Sequence, residues 1–130
     1  MPAPLSFDYA VVRVVPHVER EEFINVGVIL FCRATRFLGA RLELDRERLK
    51  FVDPGIDLET LNEEFDVIRR VCAGGPAAGA LSELSQTERF RWMTSPRSTT
   101  VQTSPVHCGL CADPKSELDR LFEQITTRKA

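Results

Sequence analysis

The stretch Glu21–Cys32, which reads EEFINVGVILFC, is the strongest local signal in the chain. β-Branched and aromatic residues dominate it, and this composition is typical of a strand in the centre of a sheet. Side chains alternate across a strand, so the stretch has two distinct faces. We predict that one face is wholly apolar and belongs to the core, with Ile24, Val26, Val28, Leu30 and Cys32 on it.

The opposite face of this strand is mixed and carries Phe23, Asn25, Gly27, Ile29 and Phe31. Asn25 interrupts the apolar surface, and Gly27 removes a side chain from it. We therefore predict a hollow at Gly27 with the Asn25 amide at its rim. Packing alone does not require such a hollow, so it is the first candidate site in the chain.

Two further strands flank the central strand in the sequence. Phe7–Val15 alternates and ends at Pro16, and Phe37–Leu44 alternates in the same way. The connection His17–Glu22 is too short for a helical crossover, which favours antiparallel pairing. We predict a three-stranded meander whose second face collects a more polar set: Tyr9, Arg13, Asn25, Gly27, Arg41 and Glu43.

Helices are predicted where apolar spacing follows a capping residue. Asp57 is a good N-cap for an amphipathic helix over residues 57–72. Ser85 opens a capping box for a short helix that ends near Met93. Asp113 precedes the last amphipathic helix, which is followed by a charged tail that we expect to fray.

The remaining segments carry turn or loop signals. Asp45–Phe51 is predicted to be a short helix or a turn, and the small residues at about 73–80 are predicted to form a flexible loop. Arg97–Ser104 is β-branched but almost devoid of apolar side chains, so we predict an extended segment that adds nothing to the core.

Length and composition favour one globular domain over residues 1–130. The 130 residues suffice for one core, and 43% hydrophobic with 28% charged residues is ordinary for such a protein. The longest apolar run is shorter than the roughly 18 residues that cross a bilayer, and no secretory signal is visible. We therefore predict a cytoplasmic protein without a membrane segment.

Charge and cysteine usage exclude further classes. A net charge of −2 provides no field for general nucleic-acid binding, so any anion site must be local. The four cysteines are better interpreted as reduced thiols than as disulfides in such a compartment. The predicted fold class is α+β: a small antiparallel sheet, with the three-stranded meander and a later polar strand, packed against helices on its apolar face.

With these residues in view, the chain resembles a bacterial family known as domain of unknown function 3037. The matching segments are Tyr9–Pro16 ending in RVVP, Glu22–Val28 (EFINVGV), Arg89–Trp92 (RFRW) with Ser95–Thr99 (SPRST), and a turn with His107 and Gly109. The resemblance implies no established activity. It does imply similarity to small companions encoded beside kinase-like proteins related to the HipA toxins, and hence a kinase-like partner protein.

The segment Arg97-Ser98-Thr99 offers a guanidinium, hydroxyls and backbone amides, which suit a phosphate- or carboxylate-bearing ligand. The alternative is an edge strand whose polar residues deter aggregation. Because buried polar groups need partners, Arg13 and Asn25 on the second sheet face favour a shared anion pocket. The predicted ligand-binding residues are Arg13, Asn25, Gly27, Arg97, Ser98 and Thr99.

Three further features have open alternatives. Glu22 is either a general base or a carboxylate that pairs with Arg13 or Arg97. His107 is either a proton carrier or a turn histidine. Cys108 and Cys111 have the spacing of zinc and dithiol sites, but a second pair is missing and the resemblance does not include them, so we predict no metal.

Two functional hypotheses follow from these features. The first is a non-catalytic accessory domain that binds a partner protein and has an anion pocket. The second is a small hydrolase or transferase that acts on a phosphorylated substrate with Glu22 or His107 as general base. No nucleotide-binding loop or nucleophile elbow is present, so we expect no cofactor and favour the first hypothesis. Convergence of Glu22, Arg97 and His107 in one cleft would favour the second.

Overall fold

The structure, a computed structural model, describes residues 3–97 and 99–126, apart from the side chain of Val18. In these ranges, five strands and four α-helices follow one another in this order: β1 (Leu5–Val14), β2 (Ile24–Cys32), β3 (Phe37–Leu42), α1 (Arg46–Val52), α2 (Leu58–Ala73), α3 (Gln86–Thr94), β4 (Val101–Thr103), β5 (His107–Cys111) and α4 (Pro114–Thr126). Short 3-10 segments lie at Val18–Arg20 and Gly75–Leu81.

The strands form one antiparallel sheet in the order β3-β2-β1, with β4 and β5 both on the outer edge of β1. Because β1 is ten residues long, its two ends pair with different strands. β4 lies beside Val12–Val14, and β5 lies beside Leu5–Tyr9. The predicted α+β class is therefore confirmed, with its meander and its later polar strand.

The predicted turn at His107 and Gly109 is wrong, because this segment is strand β5. Its residues pair in register with β1, from Tyr9 opposite His107 to Leu5 opposite Cys111. Glycine at position 109 leaves room for the Phe7 ring, since a Cβ there would lie 2.9 Å from Phe7 Cζ. A glycine that suggested a turn instead accommodates a neighbouring aromatic ring.

Helices cover both faces of the sheet, and not only the single apolar face that the sequence predicted. On one face, the β1 residues Val12 and Val14 share a core with α2 and α3. On the other face, α4 packs on Val28, Leu30 and Cys32 of β2. The reason is that β2 is apolar on both sides, and each apolar side must be covered.

A β-bulge changes the predicted faces of β2. Arg13 lies opposite Asn25 and Val12 lies opposite Gly27, which leaves Val26 as the extra residue. Alternation therefore restarts at the bulge. Val28, Leu30 and Cys32 face α4 as one set, whereas Ile24 and Val26 join the core on the α2 side.

The predicted hollow at Gly27 is also wrong, because β3 fills this space. A Cβ placed on Gly27 would lie 2.3 Å from the Arg41 carbonyl oxygen and 2.5 Å from Leu42 Cδ2. Gly27 itself is buried. The glycine thus permits close approach of a neighbouring backbone and leaves no empty site.

The predicted helix starts are confirmed by their capping bonds. The Asp57 carboxylate accepts from Thr60 N at 3.1 Å, and Ser85 and Glu88 form the reciprocal capping box of α3. Asp113 Oδ2 accepts from Ser116 N at 3.0 Å at the start of α4. The segment Gly75–Leu81, which overlaps the loop predicted at about 73–80, forms 3-10 turns. The predicted frayed tail after residue 126 lies outside the described residues.

The buried side chain of Arg89 joins α3 to the end of α2. Its Nη1 donates to the carbonyl oxygens of Val71 at 2.5 Å and Cys72 at 3.2 Å, and its Nε donates to Leu84 O at 3.3 Å. Gly74 makes room for the guanidinium, since a Cβ there would lie 2.7 Å from Arg89 Nη1. Arg89 therefore satisfies the carbonyl groups that the end of a helix leaves unpaired.

The four cysteines should differ sharply in reactivity. Cys108 is exposed, whereas Cys32, Cys72 and Cys111 are buried, and burial raises the pKa of the Cys72 thiol to about 12. Because the thiolate is the reactive form, we expect Ellman's reagent to modify one thiol rapidly in the native protein and all four after unfolding. Cys108→Ser should remove the rapid phase. A second rapid thiol in that variant would contradict the described packing.

Candidate functional site

An open cavity of about 180 Å³ lies between α2, the end of α3 and β4. All three residues of β4 line it. Among its lining residues, Ile68 and Met93 are buried, whereas Val67 and Trp92 are exposed. Its apolar lining consists of Val67, Ile68, Trp92, Met93 and Val101.

Polar side chains interrupt this apolar lining, namely Glu64, Arg97, Thr99, Gln102 and Thr103. Two of their atoms, Glu64 Oε2 and Thr103 Oγ1, are buried and have no hydrogen-bond partner among the residues that the structure describes. Buried polar atoms in native proteins are normally paired. The cavity therefore offers two polar atoms whose hydrogen bonds an incoming group can complete.

Arg97 is held against Trp92. Its Nη2 donates to the Trp92 carbonyl oxygen at 2.6 Å, and its Cζ lies 4.4 Å from the centroid of the indole ring. Stacking and this hydrogen bond orient the guanidinium before any ligand arrives. Thr99 and Gln102 brace the segment, since Thr99 Oγ1 donates to Val101 O and Gln102 Nε2 donates to Thr99 O, each at 2.8 Å.

Glu64 is the carboxylate of this cavity. Burial raises its pKa, and the positive charge of Arg97 partly opposes that rise. The carboxylate is therefore desolvated on one side and only partly compensated by a nearby cation. Glu64 also lines a second, adjoining cavity of about 190 Å³ that it shares with Asp57 and Thr60.

Arg13 and Asn25 lie directly opposite each other across β1 and β2. Because Val12 and Val14 point into the core on the α2 side, alternation places Arg13 and Asn25 on the other face. The Arg13 guanidinium stacks on Phe23, with Cζ 4.0 Å from the ring centroid. Arg13 Nε and Asn25 Oδ1 are buried without a hydrogen-bond partner in the described part of the chain.

The predicted ligand-binding residues thus do not surround one cavity. Arg97 and Thr99 line the cavity next to α2, whereas Arg13 and Asn25 form a separate polar pair. Gly27 pairs with Leu42 of β3 in the sheet, and Ser98 lies outside the described residues.

The two candidate general bases lie elsewhere. Glu22 is exposed, and its Oε1 lies 3.0 Å from Arg20 Nη2, so its ion-pair partner is neither Arg13 nor Arg97. His107 is exposed, and its ring centroid lies 5.3 Å from that of Tyr9. Neither residue lines the cavity of Arg97.

Cys108 and Cys111 are separated by strand geometry. Both belong to β5, where Cys108 lies opposite Asp8 and Cys111 lies opposite Leu5. Residues three apart in a strand point to opposite faces. One metal ion cannot bind both thiolates while β5 stays paired.

Sequence reasoning missed Glu64 as a site residue. It lies three residues after Leu61 and four before Ile68, inside the apolar stripe of α2. A carboxylate at such a position is a signal, because residues on the buried stripe of an amphipathic helix are normally apolar. Thr103 gave no comparable signal, since threonine is ordinary in a strand.

The family profile described as "Protein of unknown function (DUF3037)" matches residues 9–126. The chain belongs to the DUF3037 family. All the residues that line the cavity of this DUF3037 domain fall within the matched range. Comparisons with curated proteins and with solved structures give no match. Within the described residues of the DUF3037 domain, no helix has the length and apolar character needed to cross a membrane.

Proposed function

We propose that this DUF3037 domain is a non-catalytic interaction domain that binds a segment of a partner protein in the cavity between α2, α3 and β4. The size of the cavity carries this proposal. At about 180 Å³ it is smaller than the roughly 300–1,000 Å³ of ordinary small-molecule sites, but it has room for one apolar side chain. Protein interfaces often depend on such an anchor residue in a pocket.

Arg97 is the proposed anion-binding residue at this site, together with Thr99, which lines the same cavity. Trp92 O accepts from one guanidinium nitrogen of Arg97, and a guanidinium has five N–H donors in all. The remaining donors suit a carboxylate or phosphate group of the partner, which a guanidinium binds through two oxygens. Arg13 and Asn25, on the other face of the sheet, are proposed to form a second polar contact with the partner.

The proposed partner is a kinase-like protein encoded beside this chain, as the family resemblance implies. The enzymatic alternative, with Glu22 or His107 as general base, has less support. Glu22 is exposed and paired with Arg20, and neither candidate base shares the cavity that Arg97 lines. A general base must reach the proton that it removes, so a base outside the cavity cannot act on a ligand inside it.

We expect Val67→Asp to weaken binding of that kinase-like protein by about tenfold or more, because the complex would bury a charged carboxylate at an apolar contact, which costs about 1–3 kcal/mol. Val67 lines the cavity, and its side chain is 37% exposed, so the free domain should tolerate the change. The matched control is Val52→Asp at the end of α1, where valine is 36% exposed. Isothermal titration calorimetry with the purified partner measures both affinities.

Arg97→Ala should also weaken the complex, by a smaller factor, without lowering the melting temperature. Equal affinities for Val67→Asp and Val52→Asp would show that the partner binds elsewhere on the domain. If the wild-type domain binds no neighbouring kinase-like protein, the proposed partner is wrong.

A further inference from the structure

The cavity next to α2 shares one lining residue, Glu64, with a second cavity of opposite character. This second cavity holds about 190 Å³. Its lining includes the carboxylates of Asp53, Asp57 and Glu64, and none of the described residues that line it is basic. Several negatively charged carboxylates around one cleft favour a positively charged ligand group.

Among the three carboxylates that line the second cavity, Glu64 is the one with a buried oxygen that has no hydrogen-bond partner in the described part of the chain. Asp57 already accepts hydrogen bonds from Thr60 N and Thr60 Oγ1, and Asp53 Oδ1 accepts from Gly55 N at 3.2 Å. In contrast, Glu64 Oε2 is buried and has no hydrogen-bond partner among residues 3–97 and 99–126. A desolvated acceptor without a donor is unfavourable, and a charged donor relieves it most effectively.

Glu64 lies next to an apolar residue of the first cavity. Ile68 lies one helical turn beyond Glu64 on α2, and both residues line the cavity. Residues four apart on a helix are neighbours on its surface. A ligand that reaches both residues needs an apolar group and, next to it, a cationic donor.

We infer that the docked segment carries a lysine or arginine beside its apolar anchor, and that the Glu64 carboxylate binds this cation. The inference rests on the proposed function, because it adds a contact at the same cavity. The inference specifies the docked segment of the partner: an aliphatic side chain in it lies next to a basic side chain. Asp57 and Asp53 line the same second cavity as Glu64 and add negative charge to it.

Three probes with a common apolar tail test this inference: hexylammonium, hexanol and hexanoate. Each is titrated into the domain while the backbone amide signals of α2 are followed by NMR. We expect hexylammonium to bind about tenfold more tightly than hexanol, because a charge-assisted hydrogen bond forms only with the amine. Glu64→Gln should remove this preference by weakening the binding of hexylammonium about tenfold, to the level of hexanol.

Glu63→Gln is the matched control, because Glu63 is the neighbouring residue on α2 and is exposed. It removes the same charge from the same helix and should preserve the preference for the amine. Loss of the preference in both variants would mean that the general charge of α2 attracts the amine, which overturns the role of Glu64.

The other outcomes separate this inference from the proposed function. Equal binding of hexylammonium and hexanol to the wild-type domain overturns the inference and leaves the apolar cavity intact. If none of the probes binds, the cavity is not a binding site, and both the proposed function and this inference are wrong. The same comparison with acetyl-Leu-Lys-amide and acetyl-Leu-Gln-amide should again favour the lysine peptide, and a lack of preference there would show that the site takes a free amine and not a protein segment.

Discussion

Arg89→Met should lower the free energy of unfolding by about 3–5 kcal/mol. Three carbonyl groups lose their hydrogen-bond donor, at a cost of roughly 1–3 kcal/mol each, and water that reaches some of these groups reduces the total. The carbonyls belong to Val71, Cys72 and Leu84, at or near the end of α2 and before α3. Because methionine keeps much of the side-chain volume of arginine, the loss of stability measures the lost hydrogen bonds more than the creation of a cavity. Chemical denaturation followed by circular dichroism measures the change.

Arg91→Met is the control for this prediction. Arg91 lies on the same helix as Arg89 but is exposed, so its replacement should change the stability by less than about 0.5 kcal/mol. Similar losses in the two variants would show that the positive charge of α3 matters and that the buried hydrogen bonds do not. A loss below about 1 kcal/mol for Arg89→Met would show that water replaces the guanidinium.

The helices were predictable from sequence because their signals are local. Asp57 and Ser85 cap α2 and α3 through bonds to residues three positions later, and those bonds are present in the structure. Amphipathic spacing then gave the buried face of each helix. Such signals need no knowledge of the rest of the fold.

The errors in the sheet come from contacts that are remote in sequence. β5 becomes a strand by pairing with Leu5–Tyr9 at the other end of the chain. The bulge at Val26 depends on how β2 aligns with β1, so counting alternate residues along β2 alone assigned Ile24 and Val26 to the wrong face. The second covering helix, α4, follows from the apolar character of both β2 faces, which the sequence did contain.

The candidate site was predictable in part for the same reason. Arg97 and Thr99 were identified because a β-branched segment without apolar side chains is unusual in a core. Their partners in the cavity come from α2 and α3, whose positions relative to β4 depend on tertiary packing. Arg13 and Asn25 were correctly predicted to lie together, but the packing of α2, α3 and β4 was needed to see that Arg97 lines a cavity that does not include them.

Gly27→Val should be the most damaging single change in the sheet, with a loss of about 4 kcal/mol or more, above the roughly 1–3 kcal/mol usual for overpacking. The new Cβ would lie 2.3 Å from the Arg41 carbonyl oxygen. If the nearest atom belonged to a side chain, that side chain could rotate away from the new Cβ. A backbone carbonyl in a paired strand cannot move unless β3 separates from β2. Because small domains are stable by about 5–15 kcal/mol, a large fraction of the variant should be unfolded or aggregated at physiological temperature.

A glycine-to-alanine pair separates this steric effect from the general cost of replacing glycine. Gly27→Ala adds only the clashing Cβ and should still destabilise the protein by several kcal/mol. At Gly55 the nearest atom to an added Cβ is Asp53 Oδ1 at 3.7 Å, an ordinary contact, so Gly55→Ala should change the stability by less than about 0.5 kcal/mol. Thermal and chemical denaturation of both variants compare the two sites. If Gly27→Ala is as stable as Gly55→Ala, β3 does not approach β2 as described, and the hollow predicted from the sequence is present after all.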